Sequence, residues 1–292
     1  MARHSSFKAG GRAKYLISVS TRDELRAVLY ALTKAQIKHF FLGNGTNVLF
    51  RDEGYDGAVI KMNGFSSVAY SGDEAFPGMS REESEAPNTL VCETGMYMST
   101  LAKLLMNRGL GGFEFASGIP GSLGGGLFMN AGAYGGELKD VVGGVLALSP
   151  DGSSERVFTN EEMNFGYRHS CLADNGYIAL AASLRLHEDD PAAIEERMRE
   201  LAQKRNSKQP VQYPSAGSTF TRPEGHFAAK LIEDAGLKGA SVGGAQVSVQ
   251  HSGFIINRGG ATATDILQLI SLVQNTVFDR LGVMLEPEVR II

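Results

Sequence analysis

Apolar residues recur at helical spacing in two long stretches of the chain. Residues 21–36 carry them at intervals of three and four, which places them on one face of an α-helix: Leu25, Val28, Leu29 and Leu32. Thr21 and Glu24 have the spacing of a capping box, so the helix is expected to begin at Thr21. The same periodicity predicts a long helix from Thr264, through Ile266, Leu269, Ile270, Val273 and Val277.

Shorter sequence patterns predict further helices and strands elsewhere in the chain. Three further helices are predicted over 100–109, 190–205 and 227–236, the first ending at Gly109 and the second opening at Asp190 and Pro191. Compact apolar or alternating runs predict strands at 39–42, 48–50, 57–62, 141–148, 176–186, 245–250, 254–257 and 285–292. Because helices and strands mix without a regular alternation, the pattern favours an α+β fold.

The character of the chain changes near residue 205, where a charged helix gives way to a polar stretch with two prolines. A domain boundary is expected there, and the length of 292 residues predicts two or three domains. The acidic segment 72–88 is poor in apolar residues and predicts a solvated hairpin loop.

Composition excludes several classes of function. The formal net charge of −4 argues against a nucleic-acid partner or an anionic membrane surface. No signal peptide or membrane-spanning stretch is apparent, and the two cysteines, Cys92 and Cys171, lack metal-ligand spacing, so a cytosolic protein without a bound metal is expected. Neither a phosphate-binding P-loop nor a Rossmann fingerprint occurs.

Two glycine-rich turns carry the candidate chemistry, GNGTN at 43–47 and GIPGSLGG at 118–125. Successive backbone N–H groups in such turns form concave anion sites, and small residues let the backbone close on a pyrophosphate. Hydroxyls of Thr46 and Ser122 and the amides of Asn44, Asn47 and Asn130 add polar groups. The spacing favours equally a dinucleotide held between the turns and a pair of structural hairpins.

Six ordered motifs carry a resemblance that decides between these alternatives: LGNGTNVLFRD, FASGIPGSLGGGLFMNAGAYGGE, FGYRHS, PSAGSTF, LKGASVGGAQVSVQHSGFIIN and LEPEVR. Together they resemble the family of UDP-N-acetylenolpyruvoylglucosamine reductases, flavoenzymes that make UDP-N-acetylmuramate for bacterial peptidoglycan with NADPH as reductant. The resemblance covers nearly the whole chain. It implies a fold of the vanillyl-alcohol-oxidase type with non-covalent FAD between two α+β subdomains, and a third domain that closes over the substrate.

The resemblance also implies a domain division. The first FAD-binding subdomain is expected at 1–60, joined by the C-terminal strand 285–292, and the second at 61–204. The substrate-binding domain is expected at 205–284. FAD would be held by residues of the glycine turns and their surroundings: Gly43, Asn44, Gly45, Thr46, Asn47, Val48, Gly118, Ile119, Pro120, Gly121, Ser122, Gly125, Asn130, Ala131 and Gly132.

The family's catalytic residues match three positions. They are the arginine of GYR, Arg168; the proton-donating serine of AGS-x-F, Ser218; and the second glutamate of EPE, Glu288. Residues expected to bind substrate are Tyr167, Lys208, Arg222 and Lys238. Arg222 stands where some members have asparagine, and the chain is too short between Arg168 and Lys208 for those members' tyrosine-bearing loop. It therefore resembles the shorter class, in which Arg222 is the candidate diphosphate ligand.

The reaction explains why these groups are needed. Hydride arrival at the enolpyruvyl terminal carbon pushes charge into the carboxylate, and a fixed cation such as Arg168 stabilises that charge. Ser218 would then donate the proton. Two alternatives remain open at this point: an FAD-dependent alcohol or sugar oxidase of the same fold, and a non-enzymatic nucleotide-sugar binding protein. A monomer acting on small molecules is expected.

Overall fold

The computed structural model describes residues 1–70, 77–79 and 86–292. Its α-helices are α1 Arg22–Lys34, α2 Met98–Asn107, α3 Leu123–Phe128, α4 Leu172–Asn175, α5 Pro191–Lys208, α6 Ala228–Asp234 and α7 Ala263–Leu281. Single 3₁₀ turns lie at Ala2–His4, Glu114–Ala116 and Leu138–Asp140. In the part of the chain that is described, no helix has the length and apolar character required to span a membrane.

The strands of the first half are β1 Ala13–Ser18, β2 His39–Phe41, β3 Val48–Leu49, β4 Tyr55–Lys61, β5 Val68–Tyr70, β6 Thr89–Glu93, β7 Leu110–Gly111, β8 Gly132–Ala133 and β9 Gly136–Glu137. Those of the second half are β10 Val142–Leu148, β11 Glu155–Thr159, β12 Ile178–Arg185, β13 His187–Glu188, β14 Ser215–Ser218, β15 Ser241–Val242, β16 Ala245–Val247, β17 Phe254–Asn257 and β18 Arg290–Ile291. Helices and strands are thus mixed in α+β fashion.

The chain divides into two compact units. Unit 1 comprises Met1–Tyr15, Asn44–Gly57 and Lys204–Ile292, and unit 2 comprises Leu16–Gly43 and Ala58–Gln203. Each unit is therefore assembled from segments that are distant in sequence.

Unit 2 is built on a sheet with the order β11-β10-β12-β6-β5, in which the neighbouring strands run antiparallel. All of β10 is buried, because the sheet is covered on both faces. Val145 and Ala147 face a core shared with α2 and α3, while Leu146 and Leu148 face a core shared with α1. Burial on both faces explains why β10 and β12 are almost continuously apolar.

Unit 1 packs the sheet β14-β17-β16-β15 against α7, whose apolar face lies in the core: Ile266, Leu269, Ile270, Val273 and Val277. A short parallel pair joins β18 to β3, with Arg290 opposite Val48 and Ile291 opposite Leu49. The C-terminal segment consequently lies beside the strand that follows the first glycine turn.

Most predicted elements are confirmed. The capping box of Thr21 and Glu24 is present at the start of α1. Gly109 follows α2 with φ of +65°, the left-handed conformation expected just beyond a helix end. The long helix α7 begins at Ala263 after its cap Thr262, one residue before the predicted start.

Three local predictions differ from the structure. The segments 39–42 and 48–50 do not pair as a hairpin, because β2 pairs in parallel with β4 and β3 with β18. The C-terminal strand is limited to Arg290–Ile291. The second glycine turn leads directly into the short helix α3, which the sequence pattern did not predict because three of its six residues are glycine. Most of the predicted loop 72–88 lies outside the described residues.

Candidate active site

The first glycine turn, residues 43–47, links β2 to β3. Gly45 has φ of +68°, and a Cβ there would collide with the carbonyl oxygen of His4. Its own carbonyl accepts a hydrogen bond from Ser6 N–H at 3.0 Å. The successive N–H groups of Gly45 and Thr46 donate to none of the described residues. Two adjacent donors left in this way form the kind of concavity that binds anionic oxygens.

The second glycine turn leads into α3. Ser122 caps that helix, and its hydroxyl accepts a hydrogen bond from Gly125 N–H at 3.3 Å. The N–H groups of Leu123 and Gly124 donate to Met96 O and Thr94 O, each at 2.8 Å. By contrast, the N–H groups of Gly121 and Ser122 have no acceptor among the residues described, although both residues are buried.

Buried backbone donors without acceptors are costly, by about 1–3 kcal/mol each, and normally indicate a missing partner. A pyrophosphate supplies suitable oxygens. A Cβ at Gly43 would lie 2.6 Å from Ser122 Oγ, so glycine is required where the end of β2 meets the second turn. Each turn, taken by itself, therefore presents backbone donors of the kind that fit the pyrophosphate of a dinucleotide such as FAD.

Asn130 follows α3 and is only 1% exposed. Its carboxamide nitrogen donates to Glu137 Oε2 at 2.8 Å and to Gly166 O at 3.1 Å, and its Oδ1 accepts from Lys139 N–H at 3.0 Å. Both amide hydrogens are therefore used within the protein. Ala131 N–H donates to Gly126 O at 2.9 Å, and Gly132 begins the two-residue strand β8.

Arg168 lies in a tight turn. Gly166 and His169 form a β-bridge, with Gly166 N–H donating to His169 O at 3.0 Å and His169 N–H donating back at 3.3 Å. Between them Arg168 has φ of +56°, unusual for a residue with a side chain. Its guanidinium carbon lies 5.3 Å from the ring centroid of Tyr167, which is 57% exposed.

Ser218 and Glu288 lie on adjacent segments of unit 1. Ser218 ends β14, pairs with Phe254 of β17 and is exposed. The next residue, Thr219, accepts a hydrogen bond on its carbonyl from Glu288 N–H at 2.8 Å, and Phe220 forms a bridge with Pro287. Two residues that are seventy positions apart in the sequence therefore lie on paired backbone segments.

Glu288 is also tied to the first glycine turn. Its carbonyl accepts a hydrogen bond from Asn47 Nδ2 at 3.1 Å, and Arg290 N–H donates to Asn47 O at the same distance. The half-buried Glu288 is therefore placed by β14 on one side and by residues 43–47 on the other. The sequence motifs did not reveal this connection.

Thr219 is a residue that the sequence reasoning missed. It is fully buried; its N–H donates to Gly253 O at 2.8 Å, and its hydroxyl accepts from Ile255 N–H at 3.1 Å. Together with its bond to Glu288, these contacts hold the strand end that presents Ser218. The sequence offered one indication of its importance, its position between Ser218 and the apolar Phe220. Threonine is too common beside apolar residues for that position to single it out.

The candidate substrate cations occupy separate elements of unit 1. Lys208 is the last residue of α5, and Lys238 forms an ion pair with Glu233 at 2.8 Å. The guanidinium carbon of Arg222 lies 4.6 Å from the ring centroid of Phe227, a residue that is 62% exposed. A large aromatic ring beside a cation in solvent offers a stacking surface, but these contacts do not bring the three cations together.

His251 lies close to the strand of Ser218. Burial lowers the pKa of its imidazole, and the charge of nearby Lys238 acts in the same direction. Nδ1 accepts a hydrogen bond from Gly253 N–H at 3.2 Å, and the ring packs edge-on against Phe254 with centroids 4.9 Å apart. Through Gly253 N–H the imidazole helps to fix the turn whose Gly253 carbonyl accepts a hydrogen bond from Thr219 N–H.

Two known domain families match the chain. The FAD binding domain family matches residues 13–157, and the C-terminal domain of UDP-N-acetylenolpyruvoylglucosamine reductase matches residues 209–292. Together with the two glycine turns, these matches define an FAD-dependent oxidoreductase, and they confirm the predicted α+β fold class.

Individual relatives identify the family. Proteins named UDP-N-acetylenolpyruvoylglucosamine reductase from Alkaliphilus oremlandii and Caldanaerobacter subterraneus are 48% and 46% identical over all of this chain and 91% of their own lengths. The crystal structure of the Thermus caldophilus reductase is 33% identical and superimposes with a TM-score of 0.81, covering 99% of this chain and 96% of that one. The chain belongs to the UDP-N-acetylenolpyruvoylglucosamine reductase family. The oxidase and the non-enzymatic binding protein are not favoured.

Proposed function

We propose that this chain reduces the enolpyruvyl ether of UDP-N-acetylglucosamine-enolpyruvate to UDP-N-acetylmuramate in peptidoglycan synthesis, with NADPH as the reductant. The observation that carries this conclusion is the similarity to named reductases, 48% in the first case, along the entire chain. FAD bound at the glycine turns supplies the hydride chemistry.

Arg168 is proposed to stabilise the negative charge that develops on the enolpyruvyl carboxylate. Its planar guanidinium can donate two parallel hydrogen bonds to a carboxylate and stays charged at all physiological pH values. A fixed donor of this kind contributes roughly 3–4 kcal/mol to lowering the barrier. A tight turn restrains the backbone at Arg168, which favours a preorganised role.

Ser218 is proposed to donate the proton to the carbon that bears the ether oxygen. Its exposure at the end of β14 makes the hydroxyl accessible, while the buried Thr219 holds the backbone next to it. Glu288 is proposed to act beside it, since the segments that carry the two residues are paired. A protonated Glu288 could assist the same step, whereas its carboxylate would repel the developing charge.

Substrate charge requires local cations, because the sugar nucleotide brings a diphosphate and a carboxylate to a chain with net charge −4. Lys208, Arg222 and Lys238 are proposed to provide them, with Tyr167 contributing to the same site. The remaining predicted flavin contacts, including Val48, Gly118, Ile119, Pro120 and Gly125, are proposed to line the cofactor.

We propose that the chain is divided into two FAD-binding subdomains and one substrate-binding domain. Residues 1–60 with 285–292 would form one FAD-binding subdomain, consistent with the β3–β18 pairing. Residues 61–204 would form the other, and 205–284 the substrate-binding domain. We further propose a cytoplasmic monomer without a nucleic-acid partner, as fits an enzyme that uses NADPH and small substrates and has two free cysteines.

The two half-reactions test the proton-donor assignment. Ser218→Ala should slow substrate reduction by about 10²–10⁴-fold, the usual contribution of a general acid. Reduction of the flavin by NADPH needs no proton delivery to substrate, so its rate should stay near that of the parent. Rapid-mixing absorbance follows the two steps separately.

Ser215→Ala is the matched control, since Ser215 lies in the same strand, opposite Ile256. It should leave both rates unchanged. Equal slowing of both half-reactions in Ser218→Ala, or of neither, would remove Ser218 from the role and make Glu288 the leading candidate. A protein that binds FAD but consumes NADPH without dependence on the enolpyruvyl sugar nucleotide would contradict the proposed function itself.

A further inference from the structure

We infer that Asn130 is a positioning residue for Arg168, acting through the backbone of the Gly166–His169 turn. The inference rests on the proposed role of Arg168 and goes beyond it, because it assigns a function to a buried carboxamide that does not need to touch FAD or substrate. All of the residues involved belong to unit 2.

The turn that carries Arg168 needs outside support. Arg168 occupies its third position with φ of +56°, a conformation that glycine or asparagine normally provides. A side-chain-bearing residue in the left-handed region costs on the order of 1–2 kcal/mol. Such a conformation persists only where the surroundings hold it, and it is characteristic of sites at which a side chain must point in one direction.

Asn130 supplies one anchor at the start of the turn. Its Nδ2 donates to Gly166 O at 3.1 Å, the same carbonyl that accepts His169 N–H. The second hydrogen of that amide donates to Glu137 Oε2 at 2.8 Å, and Lys139 N–H donates to Oδ1 at 3.0 Å. With three hydrogen bonds and 1% exposure, the carboxamide has a single orientation.

The backbone of Asn130 is itself unusual. Its φ is +44°, a value that asparagine tolerates better than most residues. This conformation directs the chain from the end of α3 into β8, and from this position the carboxamide reaches Gly166 O of the arginine turn. Position 130 therefore requires a residue that tolerates a left-handed backbone and whose side chain can donate a hydrogen bond to Gly166 O.

Ser170 supplies a second anchor, at the other end of the turn. It is fully buried, and its hydroxyl donates to Phe128 O at 2.9 Å, one of the last carbonyls of α3. Both ends of the arginine turn are thus tied to residues 128–130, at the C-terminal end of α3. The same short segment that borders the proposed flavin site consequently sets the position of Arg168.

Asn130→Gly tests the inference, because glycine keeps the left-handed backbone while removing the carboxamide. We expect substrate-dependent reoxidation of the flavin to slow at least tenfold, since misplacement by about 1 Å can cost about 10²-fold. Measured per bound FAD, reduction of the flavin by NADPH should slow by a clearly smaller factor than its substrate-dependent reoxidation, so the ratio of the two rates is the readout. Ser170→Ala, which removes only one buried hydroxyl, should slow the same step by a smaller factor.

Asn160→Ala is the matched control. Its amide also donates to two backbone carbonyls, Lys139 O at 2.9 Å and Val142 O at 2.7 Å, but it makes no contact with the turn. Both half-reactions should therefore proceed at the parent rates in this variant. Slowing equal to that of Asn130→Gly would show that loss of any side-chain amide that bonds the backbone in this region has the same effect, and would overturn the inference.

The double variant separates positioning from general loss of structure. In an Arg168→Ala background, Asn130→Gly should change substrate reduction by less than twofold, since its target is already absent. The inference fails if Asn130→Gly retains the parent rate while Arg168→Ala is slow, or if its effect is the same in both backgrounds. A parent rate in Arg168→Ala alone would instead remove the arginine from the mechanism, and the inference with it.

Discussion

At the scale of single residues, glycine is required for two different physical reasons in the proposed cofactor site. Gly45 combines a positive φ with a carbonyl oxygen, that of His4, directly where a Cβ would lie. Gly43 needs only space, because Ser122 Oγ lies 2.6 Å from its would-be Cβ. Gly121 is not among the residues with positive φ, so its predicted role depends on its backbone donor instead.

Replacement of Gly45 by alanine tests the first reason. The control is Gly225→Ala, because Gly225 has nearly the same φ, +70°, and nothing within 4 Å of its would-be Cβ. The control should lose about 1–2 kcal/mol of stability from backbone strain alone. Gly45→Ala should lose roughly 2 kcal/mol more from the collision and should purify with little FAD. Denaturant unfolding and the flavin absorbance of the purified proteins measure both effects. Equal losses in the two variants would contradict this explanation.

At the scale of elements, α7 shows how a helix end can fasten a distant loop. Thr262 and Asp265 form a capping box, with Asp265 N–H donating to Thr262 Oγ1 at 3.0 Å. The preceding N–H groups of Ala263 and Thr264 donate to the carboxylate of Asp52, at 2.9 and 2.8 Å. Every N–H group in the first helical turn of α7 therefore has an acceptor. Asp52 follows β3 closely, so the cap also restrains the loop after the first glycine turn.

Titration of Asp52 should make this cap dependent on pH. Partial burial disfavours the charged carboxylate, but hydrogen bonds from Thr264 N–H, Ala263 N–H and the Thr264 hydroxyl outweigh it and lower the pKa of Asp52. Its stabilising contribution is then complete above the unfolded-state pKa of about 3.9 and disappears as the pH falls through the lower folded-state value.

Asp52→Asn should therefore cost about 1 kcal/mol of unfolding free energy at pH 7, and the difference from the parent should vanish at strongly acidic pH. Urea unfolding across the pH range measures it. Glu53→Gln, a change to the neighbouring exposed carboxylate, should have little effect at either pH. A pH-independent difference for Asp52→Asn would mean that charge plays no part in the cap.

At the scale of the whole molecule, the last residues complete the surroundings of the first glycine turn. Arg290 N–H donates to Asn47 O at 3.1 Å, Ile292 N–H to Leu49 O at 2.9 Å, and Arg51 N–H to Ile292 O at 2.9 Å. This parallel pairing joins positions more than 240 residues apart and also places Glu288 two residues before the pair. Stability of the C-terminal strand and retention of the cofactor should thus be linked.

Arg290→Pro tests that link, because proline removes the N–H that donates to Asn47 O. Arg290→Ala is the matched control, since it removes the side chain and keeps the donor. We expect the proline variant to lose FAD. Its unfolding free energy should fall below that of the alanine variant by about 3 kcal/mol or less, which corresponds to a melting temperature several degrees lower. Thermal unfolding and flavin content are the measurements. Identical behaviour of the two variants would show that the backbone pair is dispensable.

Local chemistry determined much of this protein from the sequence alone. The helices α1 and α7 follow from apolar periodicity and capping residues, and the buried strands β10 and β12 follow from their continuous apolar runs, because each of these signals is short-range. The ordered motifs were likewise sufficient to indicate the reductase family. The assignment of Arg168, Ser218 and Glu288 rests on those motifs and remains a proposal.

Only the tertiary structure decided which segments pair. Nothing local to 39–50 shows that β2 and β3 join different sheets, and the partner of β3 lies at the other end of the chain. The tie of the Arg168 turn to Asn130 and the pairing of Thr219 with Glu288 also join residues that are distant in sequence. Such contacts depend on how the chain closes its long loops, and the cost of closure rises slowly with loop length. Local propensity therefore leaves many pairings open, and the packing of the complete core selects one.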